Sequence, residues 1–212
     1  LQAKLLDVEL SIRGILRGFG LKMGEVSKAW FVPRVRELVA GQAMLERIIE
    51  PMLRAREALR IEYAQLHREM LSIVKRDAVC RQLMTVPGVG ALVAITFKSA
   101  VDDPGRFAKS RAVGAHFGLT PKKYQSGQTD VTGGISRVGD AMVRAVLYEA
   151  AHIMLSRAIG FSSLKRWATD VAKRRGLKRA KVALARKLAT VLHRMWLDGA
   201  DFRWGREVSA AA

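Results

Sequence analysis

The stretch LMTVPGVGALVAITFKSAVDDPGRF, residues 83–107, decides how the second half of this chain folds. In it an apolar helix end runs into a Pro-Gly-Val-Gly turn, and a second apolar helix follows at once. Two glycines permit a tight backbone turn, and free N–H groups at the start of a helix can bind a phosphate oxygen. The pattern is typical of a helix-hairpin-helix element and predicts nucleic-acid contacts from Gly88, Val89 and Gly90. A plain tight turn between two helices is the alternative.

Upstream, residues 35–82 contain a single proline and carry apolar residues at alternating steps of four and three. These residues are Leu45, Ile49, Met52, Leu59, Tyr63, Leu66, Met70 and Ile73. Such a heptad repeat predicts a long helix that forms a coiled coil between two protomers. Arg56 occupies the one position of the series that should be apolar, and Pro51 should start or kink a helix. A long helix packed along its own domain is the alternative.

The first segment, residues 1–34, is predicted to contain an amphipathic helix over residues 3–18 and then a connector. Its amphipathic pattern is already under way at Leu1, with no helix start signal before it. We therefore expect the chain to begin partway through a larger protein.

Downstream, residues 118–139 are rich in Gly, Ser, Thr and Lys, which favours a long ordered loop or a short hairpin. Asp140 is predicted to cap the helix that follows. Beyond Gly160 the chain is strongly basic, and its apolar spacing predicts two amphipathic helices. Within them, a cluster of cations is expected to carry much of the nucleic-acid binding: Lys173, Arg174, Arg175, Lys178 and Arg179. Residues 208–212 are small and featureless, so we expect a disordered tail.

The charge balance points to a polyanionic partner, because 37 Lys and Arg face 19 Asp and Glu, for a net charge of +18. No apolar run approaches the roughly 20 residues of a membrane-spanning helix, and no signal peptide is evident. Cys80 is the single cysteine, and the four histidines show no ligand spacing with it, so no metal site is predicted in this chain. Asp102 and Asp103 precede Pro104 and are assigned to a helix-ending turn. These features favour a cytoplasmic, nucleoid-associated protein without a membrane partner.

Four segments in order carry a family resemblance: IRGILRGFGLKMG, LMTVPGVGALVAITF, DDPGRFAKSRAVGAHFGLTPKKYQSG and GGISRVGDAMVRAVLYEAA. Together they resemble the DEDD-type insertion-sequence transposases named for element one-ten, which are bridge-RNA-guided DNA recombinases. The resemblance covers the chain up to its basic C-terminal helices. It implies a mainly α fold, in which a helical coiled-coil segment, residues 35–82, is followed by a helical transposase domain, residues 83–207. That domain would contain the helix-hairpin-helix-like element, and residues 1–34 would follow a RuvC-like domain that this chain lacks.

The resemblance also implies a serine nucleophile that becomes covalently linked to DNA, and by motif position this serine is Ser126 in the segment YQSG. A serine beside glycine in an exposed loop can approach a phosphate, and Lys122 and Lys123 would offset developing charge. Ser136 is the competing serine. We favour a helix-capping or phosphate-positioning role for it, next to a phosphate contact from Arg137.

The function implied by the resemblance is that of the C-terminal part of a DNA transposase or recombinase. Its partners would be double-stranded DNA, a guide (bridge) RNA, and further copies of itself in a homodimer or higher homo-oligomer. Divalent metal, Mg²⁺, would be bound by the RuvC-like domain and no cofactor by this chain, so the isolated fragment is expected to be inactive. The alternative is a non-catalytic nucleic-acid-binding and oligomerisation module.

Overall fold

The computed structural model describes residues 1–126, 129–157, 160 and 162–205. Helices dominate these residues, which confirms the predicted mainly α class. The elements are α1 (Gln2–Gly18), α2 (Phe31–Val39), α3 (Ala43–Arg76), α4 (Ala78–Leu83), α5 (Ala91–Val101), α6 (Arg111–His116), β1 (Pro121–Ser126), β2 (Thr129–Ile135), α7 (Ala141–Ser156), α8 (Ser163–Arg175) and α9 (Leu177–Asp198). The predicted disordered tail, residues 208–212, lies outside the described residues. In the described part of the chain, no helix is both long and apolar enough to cross a membrane.

The chain divides into two compact units, Leu1–Glu69 and Met70–Ala212, each with its own apolar core. The core of the first unit is formed by α1, α2 and the first part of α3. Its buried residues are Ile12, Leu16, Met23, Phe31, Val35, Val39, Leu45, Ile49 and Leu53. The division falls between Glu69 and Met70, inside the segment 35–82 that was predicted as one long helix. That segment contains the end of α2, the whole of α3 and most of α4. The division of the sequence at 34/35 and 82/83 stays a prediction.

The heptad series changes character along α3. Its first members, Leu45 and Ile49, are buried in the core of the first unit. Later members are open to solvent, with Leu66 53% and Ile73 58% exposed. The helix does not start at Pro51, which lies inside it. The early part of the repeat therefore packs within its own unit, and only the later part is left available for a partner.

The second unit is built around α9, which packs against α4, α6, α7 and α8. The residues that α9 buries are Ala180, Leu184, Ala185, Leu188, Ala189, Leu192, His193 and Met195. Alanines among the leucines let neighbouring helices approach closely, so that one helix can serve as the common partner of the others. The prediction of two amphipathic helices in the basic C-terminal region is confirmed by α8 and α9.

A two-stranded antiparallel hairpin, β1 and β2, projects from this helical unit. It confirms the short-hairpin form of the prediction for residues 118–139. The hairpin leads into α7, where Oδ1 of Asp140 accepts hydrogen bonds from the backbone N–H groups of Met142, at 2.6 Å, and Val143, at 3.1 Å. The predicted helix cap is thus confirmed.

Candidate nucleic-acid interface and serine hairpin

Ser126 is the last residue of β1 and pairs with Thr129 across the end of the hairpin. Its side chain is exposed to solvent, as is that of Gln125 before it. The two residues that link the strands, Gly127 and Gln128, lie outside the described residues. Gly127 is the glycine of the predicted Ser-Gly pair. A hydroxyl at the exposed end of a hairpin can reach a phosphate that approaches from outside the protein.

Lys122 and Lys123 are exposed on the same strand, but they do not lie beside the serine. Because an extended strand rises about 3.3 Å per residue, their Cα atoms are about 13 and 10 Å from that of Ser126. The expectation that both lysines offset charge at the serine oxygen is therefore not met within one hairpin. Their place along β1 suits contacts to neighbouring phosphates of a bound strand.

The base of the hairpin is held by close backbone contacts at two glycines. A Cβ on Gly118 would lie 2.2 Å from the carbonyl oxygen of Val138, and one on Gly139 would lie 2.2 Å from that of His116. Both glycines also have positive φ, +66° and +80°. No larger residue fits at either position without moving the chain, so the strands leave the helical unit along a fixed path.

Arg144 of α7 completes this base, and the sequence analysis did not single it out. Its Nη1 donates to the carbonyl oxygens of Gly139 at 2.8 Å, Val138 at 3.1 Å and Phe117 at 3.3 Å. A cation in the first turns of a helix opposes the helix dipole. In the sequence, this unfavourable placement was the only indication that Arg144 donates to specific acceptors.

Ser136 and Arg137 lie where the chain leaves β2. The backbone N–H of Ser136 donates to the carbonyl oxygen of Thr120 at 2.8 Å, and that of Arg137 donates to Gly118 at 3.1 Å. The predicted capping role of Ser136 is wrong, because Asp140 supplies the cap of α7. Arg137 is exposed and has a positive φ of 58°, which is uncommon for a residue with a side chain.

The Pro-Gly-Val-Gly turn joins α4 to α5, but it faces inward more than predicted. A Cβ on Gly88 would lie 2.6 Å from the carbonyl oxygen of Ala150 in α7. Val89 is 5% exposed, and its N–H donates to the carbonyl of Val86 at 3.0 Å. Of the three residues predicted to contact phosphate, Gly90 alone is exposed. Packing against α7 therefore accounts for Gly88 without a ligand.

A basic corner forms where α8 ends and α9 begins. Its residues, all exposed, are Lys173, Arg174, Arg175, Lys178 and Arg179. Gly176, with φ +81°, makes the sharp connection between the helices. At the start of α9, cations add to the positive end of the helix dipole, and no acidic residue occupies the first turn. The corner is thus a region of concentrated positive potential, suited to phosphate groups.

The exposed face of α9 continues this charge as a basic stripe, which we define as Arg179, Arg186, Lys187 and Arg194. The members are seven or eight residues apart along one helix face, apart from the adjacent pair at the centre. The ammonium of Lys187 lies 4.3 Å from the centre of the Trp167 ring on α8. From Arg179 to Arg194 the stripe extends about 22 Å along the helix axis. Of these four cations, only Arg179 was among the residues predicted to bind nucleic acid.

Two other titratable groups of the second unit, His193 and Asp102, have structural roles. His193 is fully buried, with Nε2 2.9 Å from the carbonyl oxygen of Pro104 and Nδ1 3.0 Å from Oγ of Ser110. Asp102 ends α5 in a turn, as predicted. Among the described residues, no three His, Cys, Asp or Glu side chains come together in a way that could hold a metal ion.

The family model and the relatives that match this chain are all described as transposases. Residues 80–168, which include the turn, the hairpin and α7, match the model of the family described as Transposase IS116/IS110/IS902. The chain is 30% identical over 203 residues to the transposase for insertion sequence element IS1111A of Coxiella burnetii, across 92% of this chain and 55% of that relative.

Two further relatives are similar to this chain. A probable family 20 transposase of Pseudomonas aeruginosa is 26% identical over 187 residues, across 85% of this chain and 55% of that protein. The transposase for insertion sequence element IS1328 of Yersinia enterocolitica is 29% identical over 139 residues, across 65% of this chain and 42% of that protein. The chain spans about half the length of these relatives.

Proposed function

Because residues 80–168 match the transposase family IS116/IS110/IS902, we propose that this chain is part of an enzyme that moves an insertion sequence by DNA transposition. The observation that carries the proposal is that the family match contains the serine hairpin and the helices that hold its base. The basic corner and the basic stripe lie on the same unit and supply the surface that a nucleic acid requires.

We assign the role of nucleophile to Ser126. In the proposed step its Oγ attacks a DNA phosphorus, one phosphoester bond to the departing strand breaks, and a phosphoserine linkage forms in its place. The serine proton passes to a general base, and the departing oxygen takes up a proton, so the number of phosphoester bonds is conserved. Support for the assignment comes from the exposed place of Ser126 at the end of a hairpin whose base is fixed by Gly118, Gly139 and Arg144.

The metal chemistry expected of such an enzyme belongs to another part of the parent protein. Among the described residues there is no cluster of carboxylates, histidines or cysteines that fits a divalent cation. We propose that Mg²⁺ is bound by a RuvC-like domain outside this chain, and that residues 1–212 alone do not cleave DNA. In this proposal the chain itself contributes the serine, the nucleic-acid surface and the framework that positions them.

Two nucleic acids, double-stranded DNA and a guide RNA, are the proposed partners of the basic surface. Ser163–Asp198 contain only two acidic residues, Asp170 and Asp198, among many lysines and arginines. Binding through such a surface is dominated by the release of counterions from phosphates. Contacts from Arg137 and the lysines of β1 would extend this surface towards the hairpin.

Self-association through the later part of α3 is the proposed route to an oligomer. The exposed apolar side chains Tyr63, Leu66 and Ile73 lie on one side of this helix. Leu66 and Ile73 continue the heptad series beyond the point where Arg56 ends its buried part. An exposed apolar face of this kind is stabilised by burial against another protein surface.

A non-catalytic nucleic-acid-binding and oligomerisation module is the competing function, and one comparison separates the two. In the full-length parent protein, Ser126→Ala should abolish recombination between two marked DNA sites while DNA binding is retained. Ser136→Ala serves as the matched control, because it removes a hydroxyl from the other end of the same hairpin. Undiminished recombination by Ser126→Ala would remove Ser126 as the nucleophile, and undiminished recombination by both variants would favour the competing function for this chain.

A further inference from the structure

We propose that a pocket at the C-terminal end of α9 binds one unpaired base of a nucleic-acid strand that lies along the basic stripe. The pocket has a volume of about 460 Å³ and lies between α8, the end of α9 and the segment that follows it. This volume falls in the range of about 300–1,000 Å³ that is common for small-molecule sites. The proposal rests on the proposed nucleic-acid function and adds a base-binding site to it.

The walls of the pocket are apolar. Leu164 of α8 and Met195 of α9 are nearly fully buried, and Val191 and Phe202 are partly buried beside them. A nucleobase has a flat, weakly hydrated face that gains free energy when it packs on aromatic and aliphatic side chains. Such walls suit a base and do not suit a phosphate, which needs charged or N–H donors.

The rim of the pocket is charged, and its cations continue the basic stripe. Lys187 and Arg194 belong to both the stripe and the rim, and Arg203 adds a third cation from the segment after α9. Nε of Arg194 donates to Oδ2 of Asp198 at 2.7 Å, so these two side chains meet at the rim. A strand whose phosphates follow the stripe would thus arrive at the pocket with its backbone outside and a base inside.

Two carboxylates, Asp198 and Asp201, stand on the same rim. They repel phosphate, but they accept hydrogen bonds from the amino groups of adenine, cytosine or guanine. Asp198 already accepts a hydrogen bond from Nε of Arg194, so we assign Asp201 as the acceptor for an entering base. We therefore expect a base with an amino group to bind better than uracil or thymine.

The wall formed by the last described residues is held in place by specific hydrogen bonds. Nε2 of Gln82 donates to the carbonyl oxygens of Met195 and Ala200, both at 2.8 Å. The N–H of Phe202 donates to Oγ1 of Thr85 at 3.0 Å, and the N–H of Ser163 donates to the carbonyl of Trp204 at 3.0 Å. The pocket is thus formed before a ligand arrives, which lowers the entropic cost of binding.

The test uses single-stranded oligonucleotides of eight residues, in RNA and DNA forms, with 2-aminopurine or an abasic site at one position. With the chain of residues 1–212, the fluorescence of 2-aminopurine should change on binding at one position, and an abasic site there should weaken binding about 10-fold, as expected for the loss of one stacked base. The RNA and DNA forms establish which strand carries the base.

Val191→Phe fills the pocket and should remove both effects while the dependence of binding on salt stays unchanged. Leu197→Phe is the matched control, since it enlarges an exposed residue of α9 that does not line the pocket. Arg203→Gln changes an exposed rim position, so it should not affect folding. It should weaken binding several-fold, and the slope of log affinity against log salt should become shallower by the amount expected for one phosphate contact.

Separate results would contradict the base pocket and the basic interface. Equal affinity for the intact and abasic oligonucleotides at every position, with binding that still depends on salt, would overturn the base pocket and leave the basic interface standing. Binding that does not depend on salt would contradict the basic interface itself. An increase in affinity when residues 206–212 are deleted would assign the pocket to the chain's own tail and also overturn the inference.

Discussion

The guanidinium of Arg56 lies 2.7 Å from Oε1 of Glu9, and it stacks over the Phe31 ring at 4.6 Å from the ring centre. The arginine side chain is 4% exposed and the glutamate 21%. Arg56, the one charged residue in the heptad series, therefore forms an ion pair inside the first unit. This ion pair joins α3 to α1. It also ends the buried part of the series.

Arg56→Ala should destabilise the first unit by about 3–5 kcal/mol, because it leaves a carboxylate partly buried without its partner. Denaturant unfolding of the chain measures this change. The control is Arg54→Ala, an exposed arginine two residues away, which should change stability by no more than about 0.5 kcal/mol. Equal effects of the two substitutions would show that the Arg56–Glu9 pair does not hold the unit together.

The double substitution Leu66→Asp with Ile73→Asp should convert an oligomer to a monomer, because it places charge on the exposed apolar face of α3. Met70 is left unchanged, since it packs against the core of the second unit. Ser72→Asp, on an exposed position of the same helix, is the control and should leave the assembly intact. Sedimentation of the wild type and the two variants measures the oligomeric state. A monomeric wild-type chain would rule out self-association through α3.

Nucleic-acid binding should weaken when the five cations of the basic corner are changed together to glutamine. The slope of log affinity against log salt should also become shallower, by about 0.9 for each duplex-DNA phosphate that the variant no longer neutralises. A control with the same reduction in charge changes five exposed cations of the first unit: Lys4, Lys22, Lys28, Arg47 and Arg54. Similar decreases in affinity from both sets would mean that net charge, rather than the corner, determines binding.

Burial raises the pKa of the Cys80 thiol to about 11, with a smaller contribution from the nearby Asp77 carboxylate. The folded chain therefore keeps the thiol proton at a pH where the unfolded chain loses it. The stability associated with this group is fully present below about pH 9 and falls as the pH rises towards 11, by about 2–3 kcal/mol at most.

In urea unfolding at pH 8 and pH 10.5, the wild type should lose more stability than Cys80→Ala over the same interval. The alanine variant controls for lysines and tyrosines, which titrate in both proteins. The same decline in both would show that the thiol does not keep its proton in the folded chain.

Local features were predictable because their causes lie within a few residues. The Asp140 cap precedes an apolar helical repeat, and the composition of residues 118–139 matches a hairpin. The basic helices also followed from local periodicity.

Features that depend on distant neighbours were not predictable. Arg144 bonds carbonyls on the far side of the hairpin base, and Gly88 is required by the backbone of Ala150 in α7. In the heptad series, Arg56 resembled a defect because its partner, Glu9, is 47 residues away. The sequence shows that an arginine or a glycine stands at such a position. It does not show the partner, because the contact forms only when separate helices pack together.

The most direct test of the central claim is to trap the covalent protein–DNA adduct of the full-length parent in denaturing gels, with wild type, Ser126→Ala and Ser136→Ala compared. Both substitutions should change stability by no more than about 0.5 kcal/mol, since Ser126 is exposed and Ser136 does not cap α7. We predict an adduct with wild type and with Ser136→Ala, and none with Ser126→Ala. An adduct that persists in Ser126→Ala and disappears in Ser136→Ala would contradict the assignment and transfer the nucleophile to Ser136.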